Sequence, residues 1–340
     1  MRNTRRREFL GWMGGAALGT ALAAPAPGKK ALRGIFPVAC TPFTESDTLD
    51  LDSLVAQLKF FDRGGVHGFV WPQNWSEWRT LSKKERLDGA EAVLAAAKGV
   101  RTAVVIGVQG PDLATALEYA RQAEKLGADA IISLPPGESP TPQAIGDYYK
   151  DVAKATSLPL FVQAVGKISM EQLIELYKAV PTFRYLKDEA EGSMLKRILP
   201  LREASGDQLK IFSGQGGRTL ISEMLRGSSG SMPTAAFADL FARTWDLWHE
   251  GKQNEAMDMH ARTQLCLSEV DLQAPAGASN PESSKYVLCL RGVFKNSRIR
   301  PQPGRNASAP PPLPMSESVD EAGKKALRNI MEYAKPFLRA

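Results

Sequence analysis

The sequence of 340 residues is poor in the side chains that hold metals or form disulfides, since it contains three cysteines and three histidines. The cysteines (Cys40, Cys266 and Cys289) are odd in number, widely spaced and flanked by apolar residues. This pattern indicates small buried side chains, not a disulfide framework. No CxxC or HExxH motif occurs, and the histidines lie far apart in the chain. We therefore expect no bound metal.

Long blocks of charge of one sign are absent as well. Charged residues make up 24% of the chain, hydrophobic residues 43%, and the formal net charge is +6. Residues 1–24 contain four arginines and one glutamate, so the rest of the chain has 39 basic and 36 acidic residues, a surplus of three. Because this surplus is scattered and has no aromatic residues interleaved with it, we expect no nucleic-acid partner.

The N-terminal segment, residues 1–24, has the layout of a cleaved export signal. A basic start is followed by an apolar stretch, residues 9–23, that is too short and too glycine-rich for a stable membrane span. The pair Arg6-Arg7, followed by the letters EFL, resembles the twin-arginine signal, which exports folded proteins. We expect a periplasmic or other extracytoplasmic protein without membrane contact after cleavage. An uncleaved amphipathic anchor is the alternative.

From about residue 33, short apolar runs alternate with amphipathic helical patterns. The runs predict strands at 35–39, 68–70, 102–106, 130–133, 158–162, 183–186, 209–212 and 228–231. Helical patterns follow them at 51–61, 83–97, 113–126, 142–155, 170–179, 194–201, 220–225 and 237–248. Eight such units, with strands apolar on both faces, predict an α/β fold of the (β/α)8 TIM barrel type over residues 31–250. A doubly wound sheet is disfavoured, because no glycine-rich phosphate turn follows the first strand.

The remaining residues, 251–340, predict a C-terminal helical extension. Helical patterns at 254–272 and 285–294 are followed by a proline-rich connector, 301–315, and by a last helix at 317–337. This extension is too small to form a barrel of its own. We expect it to pack against the barrel or against a neighbouring subunit.

One lysine stands where a barrel strand ends. Lys187 follows the predicted strand 183–186, and barrels carry their chemistry at the carboxyl ends of the strands. A buried amine in that position can condense with a ketone, and the resulting iminium draws electrons from the neighbouring carbon. The alternative is a solvated strand end.

The order of segments resembles the dihydrodipicolinate synthase / N-acetylneuraminate lyase family of class I aldolases, from about residue 33 to residue 297. The segments that carry the resemblance are GIFPVACTPFTESDTLDLDSL, GGVHGFVWPQNWSEWRTLSKKER, VVIGVQG, AEKLGADAIISLPP and FRYLKDEAEG. The last of these is similar to the family's Schiff-base segment, which implies that Lys187 forms the imine. The resemblance further implies a 2-oxo acid substrate, no cofactor beyond the covalent imine, and a homo-oligomer, a tetramer or a dimer.

Two motifs of the family are altered in this chain. The family's G-T-T-G-E, which holds the substrate carboxylate, falls on residues 73–77, QNWSE. Asn74 and Ser76 could still bind a carboxylate there, and Trp75 would reshape the pocket. The family's proton-relay tyrosine is replaced by Gly137, and the basic residue of dihydrodipicolinate synthases is absent at Ser139. We therefore expect a lyase that does not make dihydrodipicolinate.

Other residues are candidates for the missing functions. Tyr185 shares the strand face of Lys187 and could relay protons, although core filling is the alternative. Glu138 is a second candidate, unless it is a solvated loop charge. Gly214 and Gln215 follow the seventh strand, where barrels often bind anionic groups through backbone N–H donors.

The sequence thus predicts a Schiff-base lyase, an aldolase or a dehydratase, that acts on pyruvate or a keto-deoxy sugar acid. The competing hypothesis is a non-catalytic binding protein on the same barrel with a relict lysine. In that case we expect Trp75 or Tyr185 to fill the cavity.

Overall fold

The computed structural model describes residues 30–137, 140–190, 194–274, 281–300 and 319–340. The predicted export signal, the proline-rich connector and Glu138 lie outside these residues, so those predictions stay open.

Eight parallel strands form the barrel. They are β1 (Gly34–Ile35), β2 (Gly68–Trp71), β3 (Ala103–Gly107), β4 (Ala130–Ser133), β5 (Leu160–Gly166), β6 (Phe183–Ala190), β7 (Lys210–Ser213) and β8 (Gly230–Ser231). From β2 to β8, each strand pairs with the next strand in the chain, and β8 pairs with β1. The circle closes between the first two strands, where the Ala39 N–H donates to the Val70 carbonyl and the Val70 N–H to the Pro37 carbonyl. The barrel prediction is confirmed.

Helices cover the outside of the barrel. They are α1 (Leu51–Arg63), α2 (Lys83–Ala97), α3 (Leu113–Leu126), α4 (Pro142–Ala155), α5 (Met170–Ala179), α6 (Met194–Ala204), α7 (Leu220–Met224) and α8 (Ala238–His249). Side-chain caps define where several of them begin: Ser82 accepts from the Glu85 N–H, Thr141 from Ala144 and Ser169 from Gln172. Such caps satisfy N–H groups that have no partner within the helix.

The barrel has two apolar layers. An inner layer fills the space enclosed by the strands and contains Phe36, Val70, Val105, Phe161 and Phe212. A larger outer layer lies between the strands and the helices. Strand residues alternate between these layers because successive side chains point to opposite faces of a sheet.

A bulge in β6 changes which side chains face inward. Leu160 of β5 pairs with Phe183, but the next residue, Phe161, pairs with Tyr185, so Arg184 is an extra residue in β6. One extra residue reverses the alternation of a strand. Phe183 therefore belongs to the outer layer, whereas Tyr185 packs against the inner layer.

The C-terminal extension packs against the barrel. It comprises α9 (Gln253–Leu272), α10 (Glu282–Leu290) and α11 (Glu321–Ala334). Side chains of these helices and of α8 form a separate apolar cluster that includes Leu240, Met259, Val287 and Leu327. Among the described helices, none has the combined length and apolar character that crossing a membrane requires.

Candidate active site

Lys187 lies on the inner face of β6, near the carboxyl end of the strand. Its neighbours in register are Gln163 of β5 and Phe212 of β7, and the residue is 4% exposed. The solvated strand end that the sequence left open is therefore excluded. The position is the one where (β/α)8 enzymes carry their catalytic residues.

Glu189 is the charged partner of this lysine. Its Oε2 lies 3.3 Å from Lys187 Nζ, and its side chain is 25% exposed against 5% for that of Lys187. Glu189 is therefore the more exposed member of the pair. Two residues separate Glu189 from Lys187 on the strand, so both side chains point to the same face.

Two neighbouring strands hold the Glu189 carboxylate. The Gln163 amide donates a hydrogen bond to Oε2, and Gln163 itself is buried. On the other side, Gly214 leaves the space that the carboxylate occupies, because a Cβ at this position would lie 2.1 Å from Oε1. The carboxylate is thus placed before any substrate arrives.

Asp188 points away from the site. It faces the helix layer, where its Oδ2 lies 3.0 Å from Nε of Arg197 on α6, and its Oδ1 accepts from the Ala190 N–H. Burial raises the pKa of the Asp188 carboxyl, and the Arg197 charge offsets part of this effect. Asp188 thus fixes the outer side of β6 and leaves the inner side to Lys187 and Glu189.

Tyr185 packs one step deeper in the barrel. Its ring stacks on Phe161 with centroids 4.5 Å apart and lies edge-on to Phe212 at 6.3 Å. Burial raises the pKa of its phenol. These contacts are those of a core side chain, which favours the core-filling alternative over a proton relay.

The loop after β2 carries the predicted carboxylate-binding residues. The Asn74 Oδ1 accepts from Trp78 Nε1 at 3.0 Å, and Trp75 is partly buried against both apolar layers. Ser76 is fully buried; its hydroxyl donates to the Ala39 carbonyl at 2.5 Å and accepts from the Gln73 N–H at 3.0 Å. A substrate contact from the Ser76 hydroxyl would have to replace these bonds.

A buried ion pair connects the loop after β2 to α10. Glu77 and Lys285 of α10 are both fully buried, and their charged groups are in direct contact. Lys285 also donates to the Arg298 carbonyl at 2.7 Å, and Glu77 accepts from the Arg300 N–H at 3.0 Å. The segment 294–300 therefore lies against the loops after β1 and β2, and Glu77 has a structural partner.

The remaining candidates lie around the end of β7 and β4. Gly214 contacts Glu189, as described, whereas Gln215 is exposed. Gly137 has a backbone φ of +67°, which disfavours a side chain, and no atom lies within 4 Å of where its Cβ would be. The backbone at this position thus has open space around it and carries no phenol. Within the described ranges, no group of three or more histidine, cysteine or acidic residues could hold a metal.

The sequence analysis missed Glu189. Its signal was available, because alternation along a strand places residues 185, 187 and 189 on one face. The altered motifs lie in the loops after the second and fourth strands. The residue that contacts the amine lies on the same strand as Lys187.

Fold and site together define a (β/α)8 barrel with a buried lysine at the end of its sixth strand. The model of the Dihydrodipicolinate synthetase family matches residues 31–310. The chain belongs to this family.

Known proteins of several activities are similar to the chain. It is 32% identical over 189 residues to the 4-hydroxy-tetrahydrodipicolinate synthase of Rhizobium meliloti, covering 54% of this chain and 63% of that one. It is 28% identical over 277 residues to the L-2-keto-3-deoxyarabonate dehydratase of Azospirillum brasilense, covering 79% and 87%. The dihydrodipicolinate synthase structure from Rhodopseudomonas palustris superposes with a TM-score of 0.77 at 22% identity, covering 89% of this chain and 99% of that one, which supports the fold.

Proposed function

We propose that the protein is a class I lyase in which Lys187 forms an imine with a 2-oxo acid, such as pyruvate or a keto-deoxy sugar acid. The observation that carries this proposal is the position of Lys187. It is buried at the carboxyl end of β6, inside the barrel, with its Nζ 3.3 Å from a carboxylate. The imine is covalent, so the reaction requires no bound cofactor.

Family membership supports lyase chemistry, and the names of the relatives include a synthase and a dehydratase. Both reaction types proceed through the same iminium. The replacement of the relay tyrosine by Gly137 and the absence of a basic residue at 139 argue against dihydrodipicolinate synthesis in this chain. We therefore propose an aldolase or a dehydratase that acts on another 2-oxo acid.

Borohydride trapping tests the proposal. The purified protein is incubated with pyruvate, or with a 2-keto-3-deoxy sugar acid, and the imine is reduced with sodium borohydride. Intact mass and peptide mapping then locate the adduct. We expect one adduct on Lys187, and none in the Lys187→Arg variant, because a guanidinium does not form an imine under these conditions.

A folded protein that gives no adduct with any 2-oxo acid would contradict the proposal. The relict-lysine hypothesis would then stand, and a binding assay with the same acids would test it. An adduct spread over several exposed lysines would also count against a specific site.

The N-terminal segment supports a further proposal, that the protein is exported through a twin-arginine signal. Changing Arg6-Arg7 to Lys-Lys should leave the protein inside the cell, and fractionation with immunoblotting measures this.

We also propose a homo-oligomer. The exposed apolar side chains Leu225 and Leu272 (66% and 74% exposed) are consistent with a subunit contact, which light scattering would detect as a dimer or a tetramer.

A further inference from the structure

We propose that Glu189 is the acid and base of the imine chemistry, in the role for which this chain has no tyrosine at position 137. The inference rests on the proposed function, because it concerns proton transfer to and from the atoms that react at Lys187. It adds a residue and a proton path that the imine alone does not supply.

Distance and exposure support this assignment. Oε2 of Glu189 lies 3.3 Å from Nζ of Lys187, and the Glu189 side chain is the more exposed of the two. A group that transfers protons must lie within hydrogen-bond reach of the reacting atoms, a condition that Glu189 nearly satisfies before substrate binds.

Residues of the two neighbouring strands hold the Glu189 carboxylate in one position. The Gln163 amide donates to Oε2, and the absence of a side chain at Gly214 leaves the space for Oε1. The carboxylate is thus bounded on one side by an amide donor and on the other by the Gly214 backbone. The geometry therefore indicates positioning as well as charge balance.

Other described groups are less suitable. Asp188 points to the outer layer and pairs with Arg197, and Tyr185 is stacked within the inner aromatic layer. Glu77 is fully buried against Lys285. Among the described residues, Lys187 forms its ion pair with Glu189.

The protons balance in this scheme. The Lys187 ammonium gives a proton to the Glu189 carboxylate, and the free amine attacks the carbonyl carbon of the 2-oxo acid. As the C–N bond forms, the carbonyl oxygen takes the proton from Glu189. The nitrogen then returns a proton to Glu189, which gives a neutral carbinolamine. Glu189 next protonates the hydroxyl, the C–O bond breaks, and water leaves with formation of the iminium. The carboxylate then removes a proton from the neighbouring carbon, C3, to give the enamine.

The experiment measures exchange of the C3 protons of pyruvate in D2O by NMR, together with borohydride trapping. Exchange requires the imine and the C3 proton transfer, and it does not depend on knowing the natural substrate. Glu189→Gln keeps the size of the side chain and removes its basicity. We expect exchange at least 100-fold slower, because general acid–base catalysis contributes about 10²–10⁴-fold.

Two controls separate catalysis from structure. Glu203→Gln makes the same chemical change at an exposed position of α6 and should leave the exchange rate within twofold of the wild type. In Glu189→Ala, added formate or acetate should partly restore exchange, and acetate, the stronger base, should restore it more. A merely structural carboxylate would not give a rescue that follows the basicity of the added acid.

The outcomes distinguish this inference from the proposed function. If the wild type forms the Lys187 adduct and Glu189→Gln exchanges at the wild-type rate with the same pH profile, Glu189 is not the acid–base group, and imine formation stands. If the wild type forms no adduct and shows no exchange, both proposals fail. Thermal unfolding of each variant shows whether a slower exchange reflects a loss of fold. If Glu189→Gln is unfolded, the rescue of Glu189→Ala by added formate or acetate decides whether Glu189 is the acid–base group.

Discussion

At the scale of single residues, Gly214 has a role that its backbone alone does not reveal. Its neighbour is the Glu189 carboxylate, and a Cβ would lie 2.1 Å from Oε1, far inside van der Waals contact. We predict that Gly214→Ala displaces the carboxylate and slows the C3 exchange of pyruvate about 100-fold, since a displacement of about 1 Å in a catalytic group can cost that much. The NMR exchange assay measures this directly.

A matched glycine provides the control. Gly146 lies within α4, and no atom comes within 4 Å of its virtual Cβ. Gly146→Ala should leave exchange unchanged and raise the free energy of unfolding by about 0.5–1 kcal/mol, because alanine is favoured over glycine inside a helix. If Gly214→Ala behaved like Gly146→Ala, the Glu189 carboxylate would not depend on the space at Gly214.

At the scale of elements, the buried pair of Glu77 and Lys285 joins the loop after β2 to α10. A single substitution leaves one charge buried without its partner, which typically costs about 3–5 kcal/mol. We predict that Lys285→Met lowers the free energy of unfolding by this amount. The double variant Lys285→Met/Glu77→Gln should recover much of the loss, because it removes both charges. Urea denaturation of all four proteins completes the double-mutant cycle.

One result of the double-mutant cycle would contradict this prediction. Strictly additive losses would show that the contact between Glu77 and Lys285 contributes nothing to stability. The segment 294–300 would then be held by Arg300, which contacts Asp47 and Glu85.

A second element, α7, carries a buried carboxyl. Glu223 is fully buried, accepts hydrogen bonds from the Ser213 and Thr219 hydroxyls, and burial raises its pKa above the ordinary 4.5. The folded protein therefore retains this proton where the unfolded chain loses it. The protonated Glu223 carboxyl therefore makes its full contribution to the free energy of unfolding below pH 4.5. This contribution is lost as the pH rises through the raised pKa of the folded protein.

The prediction concerns the difference between two proteins, so that other titrating groups cancel. Relative to the wild type, Glu223→Gln should gain stability steadily as the pH rises from about 4.5 to 8, because the amide remains neutral. Urea denaturation across this range measures the gain. A difference that does not change with pH would show that Glu223 titrates alike in the folded and unfolded chains.

The elements themselves were largely predictable from the sequence, because apolar periodicity and capping residues act locally. The predicted helices at 83–97, 113–126 and 142–155 coincide with α2, α3 and α4. The bulge at Arg184 was not predictable, because it depends on how β6 pairs with β5. Lys187 was found through its position at a strand end, whereas the contact with Glu189 also depends on Gln163 and Gly214 from neighbouring strands. Such contacts between strands have no signature in a local pattern.

At the scale of the whole molecule, the C-terminal extension packs on α8, the last helix of the barrel. Leu327 of α11 is fully buried in the cluster that it shares with α8, α9 and α10. Arg291, the residue that follows α10, donates two hydrogen bonds of 2.7 Å to Asp239 of α8. Apolar and charged contacts thus both connect the extension to the last helix of the barrel, which favours one cooperative unfolding transition.

This coupling can be tested with the natural tryptophans. All described tryptophans lie within residues 71–248, in the barrel and its helix α8, and none lies on α9, α10 or α11, so their fluorescence reports mainly on the barrel. We predict that Leu327→Ala lowers the free energy of unfolding measured by fluorescence by about 2–5 kcal/mol, the usual cost of removing a buried leucine side chain. Leu265→Ala, at a half-exposed position of α9, should cost far less. If Leu327→Ala left the fluorescence transition in place and shifted only the helical signal in circular dichroism, the extension would unfold independently of the barrel. A shared transition would mean that the barrel bearing Lys187 and Glu189 depends for its stability on helices outside the eight βα units.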